Sequence, residues 1–235
     1  MDTILKVLYM PVQAFRELKS RQKFPWMGLV LLLIVVTVNN ILMIPVTTKV
    51  LELTYSTMNL PVSDEQIEYM MQFMYKIRYL QVAGGVFSYL FILIIYTLIV
   101  WIATKLAKQT ISFQKTLELI IHCCMAIALG SLVNCFALYG KGIETIENIY
   151  EISLIGLNAL TSVESAGVIF YTFLSTLTPF YFWFVALLTI GLAVLADMKY
   201  LKAFIISFIF WLIIVAYSVG SVYFSNVFLQ RQGLA

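Results

Sequence analysis

The stretch YLQVAGGVFSYLFILIIYTLIVWIAT (residues 79–104) decides the fold, because it carries no charged side chain anywhere along its length. A helix needs about 20 apolar residues to cross the hydrocarbon core of a bilayer, and this stretch exceeds that length. Four more uncharged stretches occur along the chain, at residues 24–48, 119–140, 165–196 and 203–230. Soluble domains use much shorter helices, of about 11–12 residues on average. The pattern therefore predicts a helical integral membrane protein.

The composition of the 235-residue chain agrees with this prediction. Hydrophobic residues make up 62% of the chain and charged residues 11%, whereas soluble domains contain about 25% charged residues. The formal net charge is only +3, and the chain has three cysteines. These values exclude a soluble globular domain, a nucleic-acid-binding protein and a disulfide-stabilised scaffold.

We expect an all-α polytopic membrane protein with five transmembrane helices in a single domain at residues 24–230. The spans are predicted near residues 26–46, 80–104, 116–138, 179–196 and 203–225. The uncharged run at 165–196 is too long for one span, and Thr178 and Pro179 divide it as the cap and the first-turn proline of a new helix. Residues 163–177 are then predicted to form a short interfacial or re-entrant helix.

Two further segments are predicted to be amphipathic helices at the membrane interface. In residues 1–23 apolar residues recur at spacings of three and four, which places one face in acyl chains and the basic face on anionic headgroups. Pro11 divides this segment into two short helices. The alternative is a basic flank that only sets the topology. The stretch DEQIEYMMQFMYKIR (residues 64–78) leads into the second span, within a loop predicted at residues 47–79.

The distribution of cations predicts the orientation of the chain. The N-terminal flank, the 105–115 connector and the 197–202 turn hold most of the 15 Lys and Arg residues. Because cytoplasmic loops are enriched in these residues, we expect a cytoplasmic N-terminus and a C-terminus outside. Lys76 and Arg78 oppose this orientation, because they are cations that flank a span on the side predicted to lie outside.

Small residues four apart on the predicted spans indicate close helix packing, because they let two backbones approach. The pairs are Gly84 with Ser88, Ala126 with Gly130, and Ala216 with Gly220. We expect each of these faces to pack against another helix.

Five polar residues inside the predicted spans form the candidate intramembrane site. They are Asn39, Asn40, Glu118, His122 and Asn134. Glu118 and His122 are four residues apart and share a helix face, an arrangement that can relay a proton or hold a cation. The alternative is structural: Glu118 pairs with Lys115 and faces the headgroups, His122 donates to Glu118, and the asparagines bond across helices.

No catalytic or metal-binding motif accompanies these residues. His122, Cys123 and Cys124 are consecutive, so their side chains point about 100° apart on a helix and do not converge on one ion. The chain has one histidine, and it contains no G-x-S-x-G, P-loop or H-E-x-x-H motif. We therefore expect no metal, no cofactor and no enzymatic activity.

Several stretches resemble a known family of multi-spanning membrane proteins. They are MPVQAFRELK (10–19), SDEQIEYMMQ (63–72), KQTISFQKTLELI (108–120), PFYFWFVALLTIGLAVL (179–195) and KYLKAF (199–204). Together they resemble the prokaryotic branch of the Yip-one domain family. The resemblance implies a five-helix bundle with a cytoplasmic N-terminus, and its prokaryotic character implies the inner membrane of a bacterium. Eukaryotic members of that family interact with Rab-type GTPases, so the resemblance also implies a role in membrane traffic.

Two functions agree with these observations. The leading hypothesis is a non-enzymatic bundle that binds lipids, in grooves beside the 163–177 helix, or other membrane proteins, including further copies of itself. Such a protein would contact the lipid bilayer as its partner, and it would organise either the bilayer or membrane traffic. The alternative is a small transporter or channel that uses the polar set around Glu118 and His122. An intramembrane enzyme is the least supported hypothesis, because convergent catalytic groups are missing.

Overall fold

The structure of the chain, a computed structural model, describes residues 2–21, 26–57, 64–147 and 150–231. Throughout these ranges the regular elements are helices and none is a strand, which confirms the all-α prediction. The helices are α1 (Asp2–Tyr9), α2 (Pro11–Ser20), α3 (Trp26–Leu42), α4 (Ile44–Thr57), α5 (Asp64–Lys76), α6 (Arg78–Leu106), α7 (Phe113–Lys141), α8 (Val163–Ala166), α9 (Val168–Ser175), α10 (Pro179–Leu195) and α11 (Tyr200–Arg231). Two short 3-10 turns, Ile143–Thr145 and Leu157–Leu160, lie between α7 and α8.

The described helices confirm a polytopic membrane protein. By length and composition, α6, α7 and α11 are each able to cross a membrane alone. Two bent pairs, α3 with α4 and α9 with α10, are long and apolar enough only when their members are taken together. The described chain therefore has three spanning helices, or up to five if each bent pair is one span.

The first bent pair departs from the sequence prediction, which ran one span to residue 46 and placed a loop from residue 47. The helix instead breaks at Met43 and continues as α4, at an angle of 45°. Pro45 explains the break, because proline has no N–H to reach the carbonyl of Ile41 and its ring clashes with that turn. The hydroxyl of Tyr139 donates to the carbonyl of Leu42 beside the break, at 2.8 Å.

Two other prolines act where the sequence predicts. Pro11 is the first residue of α2, so the N-terminal segment is divided into α1 and α2. Pro179 is the first residue of α10, and α9 precedes it at an angle of 52°. Proline suits the first turn of a helix, because the N–H it lacks would have no partner there.

The described residues form two compact units. Unit 1 comprises those within residues 1–36, 86–130 and 179–214, and unit 2 those within residues 37–85, 131–178 and 215–235. Helices α3, α6, α7 and α11 each contribute residues to both units. A single domain at residues 24–230 stays a prediction.

In unit 1, the N-terminal helices pack on protein rather than on acyl chains, which corrects the prediction for their apolar face. Ala14, Phe15 and Leu18 of α2 are fully buried, and α2 packs against α10. Gly191 of α10 makes room for this contact, since a Cβ there would lie 3.2 Å from Phe15 Cζ and 2.1 Å from Leu119 Cδ1. The missing side chain thus admits both α2 and α7.

Polar contacts in unit 1 join the three segments that carry most of the cations. Lys19 at the end of α2 pairs with Asp197 in the turn before α11. Lys202 of α11 donates to the carbonyl of Ala107, just after α6. The N-terminal segment, the 105–115 connector and the 197–202 turn therefore lie at one end of this unit.

Unit 2 contains a small core where α4 meets the segment after α7. Val46, Leu138 and Ile146 are fully buried there. Lys141 and Glu151 form an ion pair at 3.5 Å across the turns that follow α7. The segment after α7 is therefore a folded connection that contributes Ile146 to this core.

The close-packing glycines only partly match the predicted small-residue pairs. Gly130 is confirmed, because a Cβ there would lie 2.6 Å from Phe180 Cγ. Gly84 and Gly220 have nothing within 4 Å of that position, so those two predictions are wrong for the described residues. Gly85 is the closely packed residue of α6, with Asn40 Nδ2 at 2.6 Å from its Cβ position.

We expect Phe15→Ala to lower the free energy of unfolding by about 3–5 kcal/mol, because it removes a fully buried aromatic ring from the α2–α10 contact. Phe87→Ala is the matched control, since Phe87 is 75% exposed on α6. Thermal unfolding in detergent measures both variants, and proteolysis of the N-terminal segment reports release of α2. Equal melting temperatures for the two variants would contradict the docking of α2.

Candidate functional site

The structure divides the five predicted polar residues between the two units. Glu118 and His122 lie in the part of α7 that belongs to unit 1, whereas Asn39, Asn40 and Asn134 lie in unit 2. No hydrogen bond among the described residues joins Asn134 to either of the other asparagines. The five residues are therefore best treated as three separate arrangements.

Glu118 belongs to a saturated polar cluster at the start of α7. Its side chain is fully buried, and its carboxylate accepts from Lys115 Nζ at 2.8 Å and from Gln114 Nε2 at 3.5 Å. Lys115 Nζ also donates to the carbonyls of Leu18 and Arg21, at 2.7 and 2.6 Å. An ammonium group has three donors, and all three are used here. The predicted pairing with Lys115 is confirmed, but Glu118 faces the protein interior and not the headgroups.

This cluster fixes α2 through its C-terminal end. The carbonyls of Leu18 and Arg21 lie where the last turn of a helix leaves acceptors without an intrahelical partner. A cation at that position also interacts favourably with the helix dipole. Lys115 therefore connects the end of α2 to a buried carboxylate of α7.

His122 is almost fully buried and contacts Glu118 through the backbone, not through the carboxylate. Its Nδ1 lies 2.6 Å from the Glu118 carbonyl oxygen. Because a carbonyl only accepts, this contact assigns the proton of the neutral ring to Nδ1 and leaves Nε2 as an acceptor. Nε2 is buried and has no hydrogen-bond partner among the described residues. The ring packs on α3, where a Cβ on Gly28 would lie 3.4 Å from His122 Cε1.

Asn134 holds the segment that follows α7. Its Nδ2 donates to the Ile152 carbonyl and its Oδ1 accepts from the Leu154 N–H, both at 2.7 Å. The amide thus provides hydrogen-bond partners for two backbone groups of an irregular segment, because buried peptide groups need such partners. Both polar atoms of the Asn134 side chain therefore bond the backbone.

Asn39 and Asn40, by contrast, keep polar atoms without partners. Asn39 Oδ1 and Asn40 Nδ2 are buried and make no hydrogen bond within the described part of the chain. Asn40 faces α6, where Gly85 accommodates its amide. The expectation that at least one of these asparagines contacts another helix is met at Gly85, but by packing rather than by a hydrogen bond.

The cysteines are buried free thiols, and within the described ranges no three His, Cys, Asp or Glu side chains come together as metal ligands.

Two grooves in unit 2 were not predicted in detail from the sequence. The first, the Arg78 groove, has a volume of about 370 Å³ and lies between four elements: the end of α3, α4, the end of α5 and the start of α6. Its polar lining residues are Asn40, Thr47, Thr48, Arg78 and Gln81. Its other lining residues are Met43, Ile44, Leu51, Met74, Tyr75 and Val82.

The second, the Phe170 groove, has a volume of about 490 Å³ and an almost entirely apolar lining. Its lining residues are Ala166, Gly167, Val168, Ile169, Phe170 and Phe173, with Val219 of α11. It lies beside the helix predicted at residues 163–177. Neither groove is lined by Glu118, His122 or Asn134.

We expect Lys115→Met to lower the free energy of unfolding by about 3–5 kcal/mol, because it leaves a buried carboxylate without its cation. The double variant Lys115→Met, Glu118→Gln should recover part of this loss, since the unpaired charge is removed as well. Denaturant unfolding of the purified protein in detergent compares the two variants. A double variant less stable than Lys115→Met alone would contradict a buried ion pair.

The similarity of this protein to a known family extends over the whole chain and does not depend on any one site. No curated protein and no solved structure matches the chain significantly. The sequence model of the Yip1 domain matches residues 5–221, which include nearly all of the helices described above. This match confirms the family resemblance of the sequence, whereas the prokaryotic branch stays a prediction. Since it covers almost the entire chain, the protein belongs to the Yip1 domain family.

Proposed function

We propose that this integral membrane protein is a non-enzymatic lipid-binding protein that organises the bilayer around it. The observation that carries the proposal is the Phe170 groove. The short helix α9 does not span a membrane alone, and it leaves an apolar concavity of about 490 Å³ beside α11. Ligand sites are concave and mostly apolar, and a phospholipid acyl chain is the apolar ligand that a bilayer supplies.

The exposed helix faces support the same proposal. Phe87 and Phe91 of α6 and Tyr217 and Phe224 of α11 are large exposed side chains. In a bilayer these faces contact acyl chains, other membrane proteins or a second copy of the chain. A role in membrane traffic is what the family resemblance implies, and it would act through such contacts.

The polar contacts of unit 1 support a cytoplasmic N-terminus. Lys115, Lys19 and Lys202 hold three basic segments at one end of the unit. The positive-inside rule assigns an end of this kind to the cytoplasm. We place the protein in a bacterial inner membrane, with its C-terminus outside.

Lipid retained through detergent purification tests the proposal. The wild-type protein should carry bound phospholipid, and Val219→Trp should weaken lipid binding at the Phe170 groove by about tenfold, equivalent to about 1.4 kcal/mol, because the indole fills that groove. Val38→Trp is the matched control, since Val38 is exposed on α3 and lines neither groove. Native mass spectrometry counts the lipids per chain. A wild-type protein without lipid, or equal lipid on both variants, would refute the proposal.

The transporter hypothesis has one observation in its favour, which is the buried acceptor at His122 Nε2. If this nitrogen lies on a conduction path, His122→Ala should abolish solute or ion flux into liposomes. Glu118→Gln tests the neighbouring carboxylate in the same assay. Absence of flux with the wild-type protein removes the hypothesis, and flux that is unchanged in both variants removes this polar pair from it.

A further inference from the structure

We infer that the Arg78 groove binds the phosphate of an anionic phospholipid. This inference rests on the proposed lipid-binding function and names a headgroup class and a second site for it. The groove is formed within unit 2, and the described residues that line it include one cation and no carboxylate. Its electrostatic character therefore favours an anion.

Two tyrosines hold the guanidinium of Arg78. It lies 3.8 Å from the ring centroid of Tyr75 and 4.9 Å from that of Tyr79, and Nη2 is 3.5 Å from the Tyr79 hydroxyl. Stacking of this kind fixes a flexible side chain before a ligand arrives. Within the described residues Arg78 makes no ion pair. Most of its five N–H donors are therefore available to phosphate oxygens.

Two other side chains that line the groove have hydrogen-bond donors without a strong acceptor among the described residues. Asn40 Nδ2 is buried and has no partner among the described residues. Gln81 Nε2 contacts only the thioether of Met74, at 3.6 Å, which is a weak acceptor. Thr47 and Thr48 differ, because both hydroxyls already donate to the Ile44 carbonyl at 2.9 Å. Oxygens of a bound headgroup would give the amide donors the acceptors they lack.

The surroundings of the groove select a lipid over a soluble anion. Arg78 is the first residue of the spanning helix α6, and residues at the ends of spans lie at headgroup level. Met43, Leu51 and Val82 continue the lining with apolar surface, which suits the start of an acyl chain. A phosphate without a lipid tail would leave that surface exposed to water.

The charge pattern of the chain gives an independent argument. Arg78 flanks a span on the side with few cations, where it opposes the orientation that the other cations favour. Arg78 thus opposes the predicted orientation and has no carboxylate partner within the described part of the chain, so its presence needs another explanation. Recognition of a headgroup phosphate provides one.

Lipid-binding measurements on the full-length protein in detergent test the inference, with phosphatidylglycerol and phosphatidylcholine as probes. Arg78→Gln should weaken binding of phosphatidylglycerol by about tenfold, because the charge-assisted hydrogen bonds are lost, and should weaken phosphatidylcholine less, because its choline cation offsets the phosphate charge. Lys76→Gln is the matched control, since it removes a neighbouring cation that does not line the groove. Arg78→Lys keeps the charge but loses the planar fork, so its affinity should lie between the two.

The outcomes separate this inference from the proposed function. Equal binding of phosphatidylglycerol by Arg78→Gln and Lys76→Gln overturns the Arg78 site, while loss of lipid in Val219→Trp still supports the Phe170 groove. A wild-type protein that binds neither lipid overturns both. Displacement of phosphatidylglycerol by inorganic phosphate at equal concentration makes the groove a site for soluble anions and overturns the lipid assignment. If Arg78→Gln does not fold, Arg78→Lys compared with Lys76→Arg decides, and equal affinities overturn the inference.

Discussion

Peptide groups inside a bilayer have no water to bond with, and this constraint governs the whole chain. Each N–H and C=O in the hydrocarbon must find a partner in the protein, so spanning segments are helices. Where a helix breaks or ends, side chains supply the missing partners. Tyr139 donates to the Leu42 carbonyl beside the first break. Asn134 bonds the backbone of Ile152 and Leu154 in the segment after α7. These polar residues therefore have a structural role, whether or not they also have a function.

The breaks in turn create the concave surfaces on which the proposed function depends. Pro45 bends α4 from α3, and α4 then forms one wall of the Arg78 groove. The bend before Pro179 separates α9 from α10 and leaves Phe170 and Phe173 beside α11. A straight spanning helix presents a ridge, past which lipids exchange freely. A bend provides a concavity, which can hold a single lipid by several contacts at once.

Hydropathy and proline placement made most of the helices and two of their breaks predictable, because both signals are local, whereas α4 was predicted as a loop. The partner of the α2 face was not predictable: periodicity shows that Phe15 is on an apolar face, but Gly191, far along the chain, decides that protein covers it. Gly84 and Gly85 differ by one position, yet one residue turns a helix face by about 100°, and composition does not say which face is covered. The Arg78 groove was not predictable for the same reason, since its lining residues come from four helices, α3 to α6.

Spare hydrogen-bonding capacity distinguishes a binding residue from a structural one better than burial does. An ionisable residue within a span is a functional candidate by default. Glu118 fits that description, but its carboxylate bonds Lys115 and Gln114, and the Lys115 ammonium has no donor left. Releasing either group for a ligand would leave a buried charge unpaired, at a cost of several kcal/mol. Arg78 has the opposite character, because it is held by aromatic rings and retains most of its donors. By the same criterion His122 differs from Glu118, because its Nε2 acceptor has no hydrogen-bond partner among the described residues.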